Sequence, residues 1–550
     1  MKNSKESQNS KLFLQISKRL KSLFHNKKKL AIILAIIISF SIVLANAWVT
    51  DDAFITFRYV NNFVNGYGLV YNIGERVQGY THPLWLGLLI IGGLIKIDLF
   101  YWSIFIGLLF NCLTVYFFAK LIEKSKLFYF LLTFFLITIY TCSSFVDFQT
   151  SGLENSLTNF LLIMLVSSVI NKNKLLTSCL YIGLLLLNRL DLIFIVFPVL
   201  LYLFFSSNEK LTERIIQTLK GLLPIIIWEV FSIIYYGFLF PNTKYAKAGA
   251  YPLNLALDLG FFYLKDFVTW EIMPSAIFVL CLILLIIFTL IDKFAIYFKK
   301  NTHLTSDLIV FLIGAVLQLN YVIFLGGDFM RGRFLLPSFF LVITLVSAMI
   351  SKINVKLLLD KEKTSIFLLI LFILCFLSKE NAESFVYHYP HNGVVSERDY
   401  WWETNSLWNR LSNGSYNINA PKMQKIYNFE AEGSYLRNQA INGTIVTKQK
   451  SIGMLGFFAG PNVTVLDYFG LTDAFIARTP VSLNIIRVGH VRHFIPEEYF
   501  LERENNTVIE NWENPELKNL WKDIRVITQG PIFSIGRIES IITVWTKYGI

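Results

Sequence analysis

The chain has 550 residues, of which 54% are hydrophobic and only 16% charged, with 50 phenylalanines and a mean hydropathy of +0.53. That balance is too apolar for a soluble globular chain and describes a polytopic membrane protein. The net charge of +12 does not call for nucleic acid, because nine Lys and Arg against one acid, Glu6, fall in the first 29 residues. A basic leader beside an apolar run marks the cytoplasmic side and meets anionic lipid.

The first apolar run, 30–47, is too long for a signal-peptide core and has no clean small-residue cleavage site after it, so it reads as a retained helix. Further runs at 101–119, 127–145, 155–170, 174–188, 190–206, 221–238, 274–294, 306–325, 334–350 and 364–378 bring the candidate spans to eleven, several near the minimum length. The segment Pro83–Ile95 is also apolar, but its 13 residues with three glycines have the length of an interfacial or re-entrant element.

The positive-inside rule separates the two choices for that segment. If it does not span, the cytoplasmic loops are 120–126, 171–174, 207–220, 295–305 and 351–363, and every one is basic. If it spans, the parity inverts and the pattern is lost. We therefore expect a helix along the outer surface, with 48–100, 146–154, the turn at 189, 239–273, 326–333 and everything after about 379 outside. The last stretch is hydrophilic, with period-two runs at Thr444–Thr447 and Asn462–Leu466, and reads as a small extracytoplasmic mixed α/β domain, 379–550. All five cysteines (Cys112, Cys142, Cys179, Cys281 and Cys375) lie in apolar runs, which leaves neither a disulfide framework nor a CxxC metal site and makes them small buried hydrophobes.

The candidate chemistry gathers on the outer side. In WVTDDAFITFRYV (48–60), Thr50 can cap a short helix whose first turn holds Asp51 and Asp52. One of these carboxylates can also act as general base on an incoming hydroxyl while the other orients it or holds a metal ion, since adjacent like charges push one pKa up. Downstream, His82 ends a Gly- and aromatic-rich loop, Glu154 stands in TSGLEN, and Arg189 and Asp191 share the tight turn NRLD, where an ion pair pinning the hairpin is an equal reading. Lys244 and Lys247 in PNTKYAKAGA, and Asp328, Arg331 and Arg333 in GGDFMRGRFLLP, crowd the ends of spans against the positive-inside bias. An anionic partner would explain the cations: with Arg58, the residues Lys244, Lys247, Arg331 and Arg333 are candidates to grip a phosphate-bearing lipid, arginine supplying bidentate forks. Snorkelling to lipid head groups is the bland alternative.

The block DDAFITFRYVNNFVNGYGLVYNIGERVQGYTHPLW (51–85) resembles the first outer loop of bacterial GT-C glycosyltransferases, multi-spanning enzymes that use polyprenyl-phosphate sugars. The nearest resemblance is to the group around the terminal arabinofuranosyltransferase of the actinobacterial cell wall. It extends to TSGLEN, NRLD, YYGFLFPNTKYAK, GGDFMRGRFLLP, GMLGFFAGPNVTVLDYFGLTDAFIAR and RVGH (487–490), and so covers most of the chain in blocks. The resemblance implies a GT-C fold with a surface helix after the first loop, and an inverting transfer in which a loop-one Asp deprotonates the acceptor as the lipid phosphate leaves. Asp51 carries over as the base and Asp52 as its partner; His82, Glu154, Arg189 and Asp328 are assigned to substrate. A divalent cation (Mg, Mn or Ca) at Asp51 and Asp52 is compatible with that chemistry. The implied setting is the bacterial inner membrane, N-terminus in the cytoplasm, with a glycan, lipid or glycoprotein acceptor in cell-envelope biogenesis and no nucleic acid.

Two other readings use the same apolar frame. A transporter or flippase of a lipid-linked sugar predicts charges deep inside spans and an inverted repeat, which the sequence does not display. An O-antigen-type polymerase or ligase would not need paired acids in loop one. The stretches LDYFGLTDAF (466–475) and RVGH are candidates to line the groove, while for Asp467, Asp473 and His490 themselves a structural role is expected.

Overall fold

The computed structural model describes residues 27–247, 249, 251–297, 304–352, 393–413, 429–481 and 488–548. The leader up to residue 26, the run at 364–378, Cys375 and Arg487 lie outside them.

Ten of the eleven apolar runs are helical: Lys27–Ala45, Leu99–Ile122, Phe128–Tyr140, Asn155–Ile170, Leu175–Asn188, Leu190–Ser206 with a 3-10 first turn, Leu211–Tyr236, Ile272–Tyr297, Leu304–Phe324 and Leu336–Lys352. Five of the described helices are long and apolar enough to cross a bilayer unaided; the other five of these runs have 17 residues or fewer. The helix Leu211–Tyr236 begins ten residues ahead of the expected run at 221. Glu213, Arg214, Gln217 and Lys220 hide this stretch from a hydropathy window, whereas Leu211, Ile215 and Leu219 repeat at i, i+4 and i+8 and form an exposed apolar stripe. Gly237, in the left-handed conformation at φ 82°, closes that helix. Cys142, Cys179 and Cys281 are buried and free, and Cys112 is half-buried and free, as small hydrophobes should be.

Pro83–Leu94 is a helix of 12 residues that does not run away from the loop before it. Trp85, in its first turn, donates from Nε1 to Gly152 O at 2.8 Å, and Trp102, in the first turn of the next span, donates to Leu88 O at 2.9 Å. Gly92 lets the Trp102 ring lie against the helix, where any Cβ would collide with it. Both ends of the helix thus stay at one end of the bundle.

The part after 393 carries a two-stranded parallel sheet, Ile445–Gln449 beside Val463–Asp467, with Ile445 opposite Val463. The strand between Met454–Ala459 and residue 468 falls on the predicted stretch 462–466 and the other on 444–447. This part is not a free-standing unit, because it shares its core with loop one. Val463, Val465 and Met454 pack into the same cluster as Phe54, Phe57 and Tyr71, and Val77 and Phe238 enter a second cluster with Phe475, Trp521 and Ile524. Asn72 seals the joint by accepting from Val465 N–H and donating to Val465 O, both at 3.0 Å.

Candidate functional site

Loop-one helix Asp51–Val64 sets the two acids at its N-terminal turn. Thr50 holds the N-cap backbone position, but its hydroxyl makes no cap and donates instead to Glu397 Oε2 at 3.1 Å. The two acids point apart. Asp51 Oδ1 accepts the Met454 N–H at 2.7 Å, and Gly453 is pressed so closely on the Asp51 backbone that a Cβ there would overlap it. Asp52 faces a cavity of about 490 Å³, a volume typical of small-ligand sites. Burial pushes the Asp51 carboxyl up to about 7, the Met454 N–H only partly opposing it and Asp52 adding to it. Burial also raises Asp52, against the pull of Lys247 and Arg333 and with a further push from Asp328.

The cavity sits where loops between the helices meet. His82, Glu154, Arg189, Asp328 and Arg333 line it with polar groups, and Lys244 and Lys247 line it as well. Glu154 is the hub of those polar groups. It accepts from Arg333 Nη2 at 2.9 Å, pairs with His82 Nδ1 at 3.2 Å and lies 3.8 Å from Arg189 Nη1. Burial works against its charge, but Arg333, His82 and Arg189 overcome it and hold the carboxyl well below its usual range. His82 is fixed from its other side by Thr56 Oγ1, 2.9 Å from Nε2. Arg189 does make the expected hairpin fork with Asp191, at 2.7 and 3.0 Å, yet its Nη1 has no hydrogen-bond partner among the described residues. The same is true of Asp328 Oδ2, on a residue only 3% exposed. One buried donor and one buried acceptor are therefore left for a ligand.

Lys244 and Lys247 lie three residues apart on the short helix Asn242–Lys247 and so share a face. Asn242 fixes the helix by donating from Nδ2 to Gly470 O at 2.6 Å and Asp473 O at 3.0 Å, and Ala246 O receives His493 Nε2 at 2.9 Å. Lys244 packs over the Phe240 ring and Lys247 over Phe329, and burial lowers the Lys244 ammonium. Neither forms an ion pair among the described residues. On the side toward the spans the lining turns apolar, with Ile193, Leu325 and Phe334, and with Phe194 stacked on Tyr321 at 4.4 Å.

Two expected phosphate ligands are elsewhere. Arg58 points into the joint with the later part of the chain, donating to Tyr71 O, Gly456 O and Val463 O at 2.8, 2.5 and 2.7 Å. Its three nitrogens are spent on carbonyls, so it is a structural clamp. Arg331 pairs with Asp266 at 2.8 Å and stacks on Trp270, outside the cavity wall. The carboxylates also fail to make a metal site: Asp51 and Asp52 diverge, and among the described residues no three His, Cys, Asp or Glu side chains come together to hold an ion. A resident divalent cation does not fit this donor set.

Sequence reasoning missed Glu397, which holds Thr50 and Trp401 beside the paired acids and whose carboxyl burial pushes up to about 8. The stretches LDYFGLTDAF (466–475) and RVGH (487–490), expected as groove lining, supply Leu471 and Gly489 to the cavity from the far part of the chain, and Val491 beside them is not singled out by the sequence. Gly489, at φ 71°, brings its backbone against Asp328 Oδ1, where a Cβ would stand at 3.0 Å. Asp467 and Asp473 are structural as expected, accepting backbone N–H groups at 469 and 471 and at 475 and 476, and His490 packs between Phe329 and Phe469.

The chain is 24% identical to the terminal beta-(1->2)-arabinofuranosyltransferase of Mycobacterium tuberculosis over 526 aligned residues, covering 82% of this chain and 81% of that protein. It is 26% identical to the Corynebacterium glutamicum protein of the same name over 393 residues, covering 64% of this chain and 55% of that protein. The chain is thus similar along most of its length to terminal beta-(1->2)-arabinofuranosyltransferases. No protein-family model and no solved structure matches it.

Proposed function

We propose that the chain transfers a sugar, in the first instance an arabinofuranosyl unit, from a polyprenyl-phosphate donor to a cell-wall glycan on the outer face of the cytoplasmic membrane. The observation that carries the reading is that one cavity is lined by both the Asp52 carboxylate and the ammoniums of Lys244 and Lys247, which form no ion pair among the described residues. The acceptor O–H gives its proton to Asp52, its oxygen bonds to the anomeric carbon, and the bond from that carbon to the phosphate oxygen breaks. The negative charge that develops on the leaving phosphate falls to Lys244 and Lys247, with Arg333 held nearby by Glu154. Arg189 Nη1 and Asp328 Oδ2 are the groups left to bind sugar hydroxyls. The apolar wall at Phe194 and Tyr321 gives the polyprenyl tail a path toward lipid. Asp52, rather than Asp51, is the base in this account, because Asp51 is turned away to Met454.

Lipid mass spectrometry of what co-purifies with wild type and with Asp52→Asn tests the donor. A polyprenyl-phosphate sugar enriched on the variant is expected. A pyrophosphate-linked oligosaccharide present equally on both proteins would replace this account with the flippase or polymerase reading.

A further inference from the structure

The helix Ile535–Lys547 is docked on the end of a spanning helix and presents three strips. The first faces protein. Arg537 is buried and donates from Nη1 to Ile234 O at 2.9 Å and from Nη2 to Tyr235 O at 3.0 Å, and Trp545 Nε1 donates to Gly237 O at 3.1 Å. The first two carbonyls are in the last turn of the helix Leu211–Tyr236, where the intrahelical ladder leaves acceptors free, and the third belongs to its C-cap Gly237. The second strip is polar and exposed, with Glu539, Thr546 and Lys547. The third consists of Ile535, Ile538 and Ile542, spaced i, i+3 and i+7, preceded by Phe533; Phe533 is 84% and Ile535 75% exposed among the described residues.

A helix that met only protein and water would need two faces, not three. The third strip is apolar and large, and its position says what it meets. On the spanning helix Leu211–Tyr236, Ile227, Val230 and Ile234 form an exposed apolar stripe with the same i, i+3, i+7 spacing. That stripe is the lipid-facing side of a span, and it ends at Ile234, the residue whose carbonyl holds Arg537. The apolar strip of the docked helix begins where the lipid-facing stripe of the span stops.

We infer that Ile535–Lys547, with Phe533 at its entry, is an interfacial anchor whose isoleucine strip is inserted into the lipid leaflet next to the catalytic cavity. Arg76 ties loop one to the segment that leads into the anchor, its backbone N–H donating to Thr528 O at 3.0 Å and its guanidinium to Gly530 O. The anchor thereby fixes the height of loop one relative to the bilayer. A helix of this kind buries its apolar face about 5–10 Å into the head-group boundary.

The test uses the full chain in lipid nanodiscs, with its native cysteines replaced and a bimane label on Phe533→Cys, on Ile542→Cys or, as the polar-strip control, on Glu539→Cys. All three must elute as monodisperse particles. With a nitroxide lipid bearing its spin label just below the head group, the labels at 533 and 542 should lose most of their emission and resist aqueous iodide, and the label at 539 should behave in the opposite way. Iodide quenching at 533 and 542 equal to that at 539 would overturn the inference and leave the strip in water. Shielding of 533 and 542 from both quenchers would also overturn it, by showing that another segment or a second copy covers the strip.

Discussion

Arg333 reaches both oxygens of Glu154 with one terminal nitrogen, Nη2 lying 2.9 Å from Oε1 and 3.2 Å from Oε2. The pair joins a helix start at 155 to the segment before Leu336, and His82 and Arg189 lean on the same carboxylate. Glu154→Gln keeps the shape and removes the charge, leaving partly buried Arg333 without its counter-ion and buried Arg189 with Asp191 alone. Loss of one partner from a buried pair costs roughly 3–5 kcal/mol. We expect a clearly lower Tm in detergent together with loss of transfer. An unchanged Tm would show that the hub is not holding these segments.

Asp52→Asn and Asp51→Asn should separate sharply. Removing a general base lowers kcat by about 10²–10⁴. Asp52→Asn is expected to fall in that range with donor binding retained. Asp51→Asn keeps an oxygen to accept the Met454 N–H, so it should keep most of the activity. Turnover assays on the two purified variants decide it, and the reverse order would return the base to Asp51.

Asp51 also makes a stability prediction. Its carboxyl moves from 3.8 up to about 7 on folding, because burial disfavours the charge more than the Met454 N–H favours it. A raised acid binds its proton more tightly in the folded state, so its contribution to stability falls as pH rises from the unfolded value toward the folded one. Between about pH 4 and pH 7 the wild type should lose stability relative to Asp51→Asn, whose position 51 does not titrate. Melting curves of both proteins across that window provide the difference, and a constant offset would remove the shift.

That these groups gather around one cavity is legible in the sequence, because the parity of the apolar runs puts their segments on one side and the pairing of acids with cations at span ends marks a ligand. Ten apolar runs are legible as helices for a related reason: nothing but a helix satisfies its own backbone in lipid. Direction is not legible in the same way. Asp51 and Asp52 are adjacent on a helix, so their side chains diverge by about 100°, and only the packing of Gly453 and Met454 says which one turns to the cavity. Arg58 reads as a ligand grip because it is a cation near two acids; its true partners, Gly456 O and Val463 O, lie some four hundred residues away. Glu397 escapes a reading of the sequence for the same reason, since Thr50 is distant from it along the chain.

Arg58 therefore belongs with folding. Arg58→Lys preserves charge but cannot reach three carbonyls at once, and buried carbonyls left unpaired cost about 1–3 kcal/mol each. The expected result is a lower Tm with an unchanged KM for donor in the fraction that folds. A raised KM at wild-type Tm would put Arg58 back on the phosphate.

The stereochemical course follows from what Asp52 does with its free oxygens. Acting as a base, it leaves the acceptor to attack opposite the phosphate, so the anomeric configuration of the product inverts relative to the donor. Attacking the anomeric carbon itself would form a glycosyl ester, and a second displacement would restore the configuration; Asp328, with an unpaired oxygen in the same cavity, would then be the carboxylate left to activate the acceptor. We expect inversion and no covalent adduct. NMR of the product linkage against the donor, with intact-protein mass spectrometry of an Asp328→Asn sample quenched during turnover, reads both points. A retained anomer accompanied by a sugar-sized mass increment on the peptide that contains Asp52 would make that residue the nucleophile.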